Sequence, residues 1–103
     1  MDTLTNLGKN IPELVMKHIE LFDSFEYVYL FGSVLKPEID HNDLDILVIY
    51  IEFQEEISKD VLTISDKLEK VSGLAVDLTV LSVEEEKDTG FLEKIKSNCL
   101  RIK

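Results

Sequence analysis

The strongest constraint on the fold is an uninterrupted apolar run, Ile46–Ile51, that directly follows Asp43-Leu44-Asp45. The run is far too short to cross a bilayer, which takes about 20 residues in a helix. Its β-branched residues favour a strand, and its nearly continuous apolar character is typical of a strand inside a sheet. We therefore expect Leu44–Tyr50 to form a buried, central strand.

The remaining pattern predicts two more strands and several helices around this one. Tyr27–Phe31 is β-branched and aromatic, and Ala75–Leu81 alternates polar and apolar residues. Apolar residues recur at helical spacing around these strands, and Ser82 with Glu85 forms a capping-box pattern before a charged stretch that we expect to be a solvated turn. The predicted helices are Ile11 to about Asp23, Glu55–Val71 and a short last helix from Phe91 that ends near Cys99, a predicted core residue.

This order of elements predicts an α/β (α+β) fold, a small mixed sheet of about three strands flanked by helices. With 103 residues, we expect residues 1–103 to form a single domain. A domain this small is only modestly stabilised by burial, so another chain, including a second copy in a homo-oligomer, can share its surface.

Charge and cysteine content narrow the partners and the compartment. The 21 acidic and 11 basic residues give a net charge of −10, which argues against direct nucleic-acid binding. A basic protein, or a nucleotide carried with a divalent cation, suits this charge better. The single cysteine and the absence of an apolar signal segment in residues 1–10 predict a cytoplasmic protein with no membrane contact.

A candidate phosphate site follows the first predicted strand, where Phe31-Gly32-Ser33 leads into a short turn. Glycine allows a phosphate to approach the backbone closely, and the N–H groups at the start of the turn attract negative charge. The Ser33 hydroxyl adds a donor. Because a Gly-Ser turn also occurs wherever a chain bends, this motif matters only together with other residues.

Those other residues are three aspartates. Asp43 and Asp45 are two positions apart in the central strand and therefore project from the same side of the sheet. Asp77 lies inside the third strand, where aspartate is disfavoured unless it has a role. If the two strands are neighbours, the three carboxylates can hold two cations about 4 Å apart, and Mg²⁺ prefers such oxygen ligands. Solvated positions at strand ends are the alternative explanation.

Taken together, Gly32-Ser33, Asp43-Leu44-Asp45 and Asp77 resemble the signature of the polymerase β nucleotidyltransferase superfamily, in particular its minimal nucleotidyltransferases. The resemblance covers about residues 11 to 99. It implies that Gly32 and Ser33 bind the phosphates of ATP or another nucleoside triphosphate. It also implies that Asp43, Asp45 and Asp77 are catalytic and hold two Mg²⁺ ions. Lys36 stands near where many relatives have an arginine, and is expected to contact the nucleotide as a point charge.

The resemblance also implies a partner and a reaction. Such domains often pair with an all-helical HEPN protein as the antitoxin of a toxin–antitoxin system, and some attach AMP to a tyrosine of the toxin. The expected function is therefore Mg²⁺-dependent transfer of AMP from ATP to a hydroxyl of a partner protein. The alternative is a non-catalytic antitoxin that masks its partner by binding alone. A phospho-receiver domain is less compatible, because it needs five parallel strands.

Overall fold

The computed structural model describes residues 11–35 and 43–103, which build one sheet with helices on its two faces. The strands are β1 (Tyr27–Phe31), β2 (Asp43–Tyr50), β3 (Ala75–Ser82) and β4 (Cys99–Arg101). The α-helices are α1 (Ile11–Lys17), α2 (Glu55–Ser72), α3 (Val83–Thr89) and α4 (Phe91–Ile95). Three 3₁₀ helices span Ile19–Phe22, Gly32–Leu35 and Lys96–Asn98, and we call the second of them the Gly32 turn.

The sheet is mixed, with strand order β3-β2-β1-β4. β1 runs antiparallel to both β2 and β4, whereas β2 and β3 are parallel. Two parallel strands that are consecutive in sequence, such as β2 and β3, need a crossover connection. The helix α2 provides it by running back along one face of the sheet. The predicted α/β class is confirmed, and β2 is a central strand as its apolar run indicates.

One face of the sheet packs against α1 and α2 to form the main hydrophobic core. Alternate residues of β2 point into it, and the apolar stripe of α2 lies opposite them, as its helical spacing predicts. α2 is capped by Gly73, which follows Ser72, has φ +75° and donates its N–H to the Glu69 carbonyl. The buried members of this core are Ile11, Val15, Phe22, Phe25, Val28, Leu30, Leu44, Ile46, Val48, Ile57, Ile64 and Leu68.

The other face of β2 is also covered over part of its length. Leu47 and Ile49 are 0% and 2% exposed, although they alternate with the residues of the main core and do not belong to it. α3 packs against β2 and β3, and the Phe91 ring of α4 contacts Phe31 edge-on at 5.5 Å between centroids. The side of the sheet that carries Asp45 is therefore apolar in the middle of β2 and polar only at the start of the strand.

Two predictions, one of a single long helix and one of a turn, are wrong. Residues 11–22 do not form one helix, because α1 ends at Lys17. The His18 side chain then takes over the Leu14 carbonyl with Nδ1 at 3.0 Å, while the His18 N–H bonds the Val15 carbonyl instead. The charged stretch after Ser82 is helix α3 rather than a turn. The predicted capping box is present and satisfies its first N–H groups, with Glu85 N 3.0 Å from Ser82 Oγ.

The sequence also missed the strand β4. Cys99 begins this strand and is only half-buried, so the prediction that it lies at the end of the last helix, in the core, is wrong. Pairing of β4 with β1 satisfies backbone groups that would otherwise form an open sheet edge. In the described ranges, no helix is long and apolar enough to cross a membrane. Lys36 lies outside these ranges.

Candidate functional site

The parallel register of β2 and β3 brings two of the predicted carboxylates together. Asp45 is the direct partner of Asp77, so the two side chains leave neighbouring strands on the same side of the sheet. Asp45 is half-buried, whereas Asp77 is exposed. A one-residue shift in this pairing would place Asp77 on the opposite face, and the register is therefore what creates the pair.

The pKa of the Asp45 carboxyl is raised above its usual value of 3.8 by four effects in the same direction. Burial contributes most, followed by the negative charges of Asp77 and then Asp43, and by a hydrogen bond with the Asp77 side chain. A hydrogen bond between two carboxyl groups requires that one of them hold a proton. Without a cation, the Asp45 carboxyl therefore keeps its proton to a higher pH than a free aspartate does.

The third site element, Gly32, lies directly against Asp45. Phe31 is the antiparallel partner of Asp45, so the residue after β1 passes beside this carboxylate. A Cβ at position 32 would lie 2.5 Å from Asp45 Oδ2 and 3.4 Å from its Cγ. Gly32 also has φ +86°, in the left-handed region that other residues avoid. Both the space and the backbone conformation require glycine here.

Across the sheet, the three elements follow in the order Gly32, Asp45, Asp77, because β1, β2 and β3 are neighbours in that order. Asp43 begins β2 on the same side, pairs with Ala75 and is exposed. The backbone of Ser33 belongs to the Gly32 turn. The structure thus assembles Gly32, Asp45 and Asp77 closely, with Asp43 at the margin.

The carboxylates have the chemistry of a hard-cation site, but they are not arranged as a finished one. The Asp45 and Asp77 carboxylates repel each other, and a divalent cation bound between them would remove that repulsion. However, within residues 11–35 and 43–103 no group of three or more His, Cys, Asp or Glu side chains is placed to hold a metal ion together. Asp45 and Asp77 could hold such an ion, with Asp43 joining them by a side-chain movement. The expectation of two ions stays a prediction.

Sequence reasoning missed one residue that contacts the site. The Asn98 side-chain amide donates a hydrogen bond to the Gly32 carbonyl oxygen at 2.9 Å, across 66 positions of sequence. Asn98 ends the last 3₁₀ helix, immediately before β4. No local pattern marks it, because its position depends on β4 joining the edge of β1.

Comparison with known families gives one match, which covers nearly the whole chain. The sequence model of the family described as "Polymerase beta, Nucleotidyltransferase" matches residues 9–102. No curated protein matches the chain.

Several solved structures share the fold. One is a tri-AMPylated Shewanella oneidensis HEPN toxin in complex with an MNT antitoxin, with a TM-score of 0.61 and 18% identity, covering 93% of this chain and 71% of that chain. A second is a toxin–antitoxin structure with AMP-PNP, with a TM-score of 0.62 and 19% identity over 89% of this chain and 72% of that chain. A third, MntA-HepT, has a TM-score of 0.58 at 17% identity, covering 92% and 71%. At these identities the similarity is one of fold.

Proposed function

Because the chain belongs to the polymerase beta nucleotidyltransferase family, we propose that it transfers AMP from ATP to a hydroxyl group of a partner protein. The observation that carries the proposal is the row of Gly32, Asp45 and Asp77 across three adjacent strands. This row combines a glycine turn for phosphates with a carboxylate pair that favours a cation. Residues 1–103 act here as a single minimal nucleotidyltransferase domain.

In this proposal the two substrates bind at opposite ends of the row. The triphosphate lies at the Gly32 end, where the backbone N–H groups of Gly32 and Ser33 can bind its oxygens and Lys36 adds positive charge. The acceptor hydroxyl approaches from the Asp77 end, since Asp45 lies between the two. Asp43 and Asp45 lie on the nucleotide side of the carboxylate group.

The reaction is an in-line displacement at the α-phosphorus. The acceptor oxygen forms a bond to the α-phosphorus. At the same time the bond between the α-phosphorus and the oxygen that bridges to the β-phosphate breaks, and pyrophosphate leaves. The hydroxyl proton passes to a carboxylate oxygen of Asp77. Bound at Asp43, Asp45 and Asp77, two Mg²⁺ ions would neutralise the charge of the phosphates and favour loss of the hydroxyl proton. The contribution of the protein is mainly positioning and charge stabilisation.

The partner in this proposal is a helical HEPN-type toxin, in the cytoplasm. Support comes from the shared fold with antitoxin chains that are bound to HEPN toxins, one of which is tri-AMPylated. The net charge of −10 is compatible with a basic protein surface as acceptor and is unsuited to direct binding of nucleic acid. In this role the domain is the antitoxin, and transfer of AMP is what inactivates the toxin.

The test is transfer of label from ATP labelled at the α-phosphate, with Mg²⁺ or with EDTA, in the presence of a helical HEPN-type protein that co-purifies with this chain. Wild type is compared with Asp45→Asn and Asp77→Asn, which keep the shape of the side chains and remove their charge. Asp66→Asn is the matched control, because Asp66 is an exposed carboxylate on α2 that pairs with Lys70 at 3.2 Å. We expect label on the partner only with Mg²⁺, a loss on the order of a hundredfold in the two site variants, and no loss in the control.

Neutralisation of the partner is measured in parallel. If no label appears and Asp45→Asn still neutralises the toxin, transfer is not the function, and the domain is a binding antitoxin on a nucleotidyltransferase fold.

A further inference from the structure

The segment from α4 to β4 contacts the junction between β1 and the Gly32 turn in three ways. Phe91 packs edge-on against Phe31, and Cys99 pairs with Phe31 in the sheet. Between these two contacts in sequence, Asn98 donates its side-chain N–H to the Gly32 carbonyl at 2.9 Å. The first two contacts hold the strand β1, whereas only the third reaches the turn itself.

The hydrogen bond from Asn98 determines how the peptide unit between Gly32 and Ser33 is oriented. In a planar trans peptide, the carbonyl of one residue and the N–H of the next point in opposite directions. When Asn98 holds the Gly32 carbonyl on its own side, the Ser33 N–H must point away from Asn98. This orientation needs a support, because glycine allows the peptide unit to rotate more readily than any other residue.

A rotated peptide would harm a phosphate site in two ways. It would withdraw the Ser33 N–H donor, and it would present the Gly32 carbonyl oxygen, a partial negative charge, to the phosphates. The Asp45 carboxylate already lies beside Gly32, so a carbonyl oxygen turned toward the phosphates would add a second negative group at the same place. The orientation of this one backbone peptide would therefore change the affinity for a polyphosphate.

We infer that Asn98 is a positioning residue for the nucleotide, which keeps the Ser33 N–H available to the triphosphate by holding the Gly32 carbonyl. Asn98 acts through the backbone and does not itself contact the substrate. The inference rests on the proposed function in that it takes the Gly32 turn as the binding site of the triphosphate. It links the C-terminal segment, through one hydrogen bond, to nucleotide affinity.

The experiment measures the affinity for MgATP by calorimetry and the hydrogen exchange of the Ser33 amide by NMR, with and without MgATP, in the full chain. Asn98→Ala removes the donor, and Asn98→Asp replaces the donor nitrogen with oxygen at nearly constant size. Ser97→Ala is the control, because Ser97 is the exposed neighbour of Asn98. Thermal unfolding of each variant shows whether the fold is retained, and the second substitution keeps the test valid if the first one unfolds the chain.

We expect Asn98→Ala to weaken MgATP about fivefold, the equivalent of one hydrogen bond of about 1 kcal/mol, and Asn98→Asp to weaken it at least as much. Binding of MgATP should slow exchange of the Ser33 amide in wild type and in Ser97→Ala, and should slow it much less in the two Asn98 variants. A purely structural role for Asn98 predicts a lower melting temperature with unchanged affinity in the folded variants, and that result would overturn the inference.

The label-transfer assay separates this inference from the proposed function. If wild type transfers label and both Asn98 variants bind MgATP as wild type does, the positioning role is wrong and the proposed function stands. If wild type binds MgATP and transfers nothing, the proposed reaction fails, and the affinities of the variants still decide the role of Asn98. If wild type does not bind MgATP at all, both are wrong.

Discussion

Substitution of Gly32 by alanine should reduce AMP transfer far more than its effect on the free energy of unfolding would explain. The new Cβ would lie 2.5 Å from Asp45 Oδ2, closer than real Cβ contacts, so one of the two groups must move. The clash is with the end of a side chain rather than with backbone. The carboxylate can therefore rotate away at modest cost in folding free energy, but it then leaves its place beside Asp77.

Two other glycines provide matched controls for this substitution. Gly73 and Gly90 also have positive φ, +75° and +64°, but a Cβ at either position would meet nothing within 4 Å. Alanine at all three positions pays for the left-handed backbone, about 1–2 kcal/mol. The free energies of unfolding in urea should therefore fall by similar amounts in the three variants.

Activity should distinguish them clearly. A displacement of about 1 Å in a positioned group can cost on the order of a hundredfold in rate, so Gly32→Ala should lose at least that factor in label transfer. Gly73→Ala and Gly90→Ala should retain transfer close to wild type at a temperature where all three are folded. If Gly32→Ala is as active as Gly73→Ala, the close approach of the Gly32 turn to Asp45 is not important for the reaction.

Three further sets of substitutions test the electrostatics of Asp45, the packing of β2 and the capping of α3. The raised pKa of Asp45 means that the folded state binds its proton more tightly than the unfolded chain does. Without divalent cations, the contribution of Asp45 to the free energy of unfolding should therefore be fully present below pH 3.8 and be lost as the pH rises through the raised pKa. Urea unfolding at a series of pH values should show this loss in wild type and not in Asp45→Asn, and the same pH dependence in both would contradict it. Leu47→Ala should lower the free energy of unfolding in urea by about 2–5 kcal/mol, because the Leu47 side chain is 0% exposed. The control Leu62→Ala should stay within about 0.5 kcal/mol of wild type, because Leu62 is 73% exposed. Equal effects would show that the second face of β2 is not packed. Ser82→Ala should lower the free energy of unfolding, measured in the same way, by about 1 kcal/mol, because it removes the N-cap of α3. Asparagine is also a good N-cap, so Ser82→Asn should retain most of the wild-type stability. An unchanged free energy of unfolding in Ser82→Ala would mean that the capping box adds nothing to stability.

Local patterns predicted the elements that are strongly periodic or strongly apolar. The strand β2 and the helix α2 lie within one or two residues of their predicted bounds, since burial on a strand or on one helix face leaves a repeat that is visible in sequence. The capping box at Ser82 is equally local, because its two hydrogen bonds join residues three positions apart. The segments that were predicted wrongly, residues 18–22, 84–88 and 96–99, are short, and their structure depends on what they pack against.

For the candidate site, the sequence alone identified Gly32, Asp43, Asp45 and Asp77 as a group and placed Asp43 and Asp45 on one side of the strand. Residue type and the two-residue strand repeat are sufficient for that. Only the tertiary structure determines that Asp45 pairs with Asp77, that Gly32 lies against the Asp45 side chain, and that Asn98 donates a hydrogen bond to the Gly32 carbonyl. These three relations depend on strand register and on a fourth strand that returns to the edge of β1. Both arise from pairing between distant segments, which leaves no repeat in the sequence.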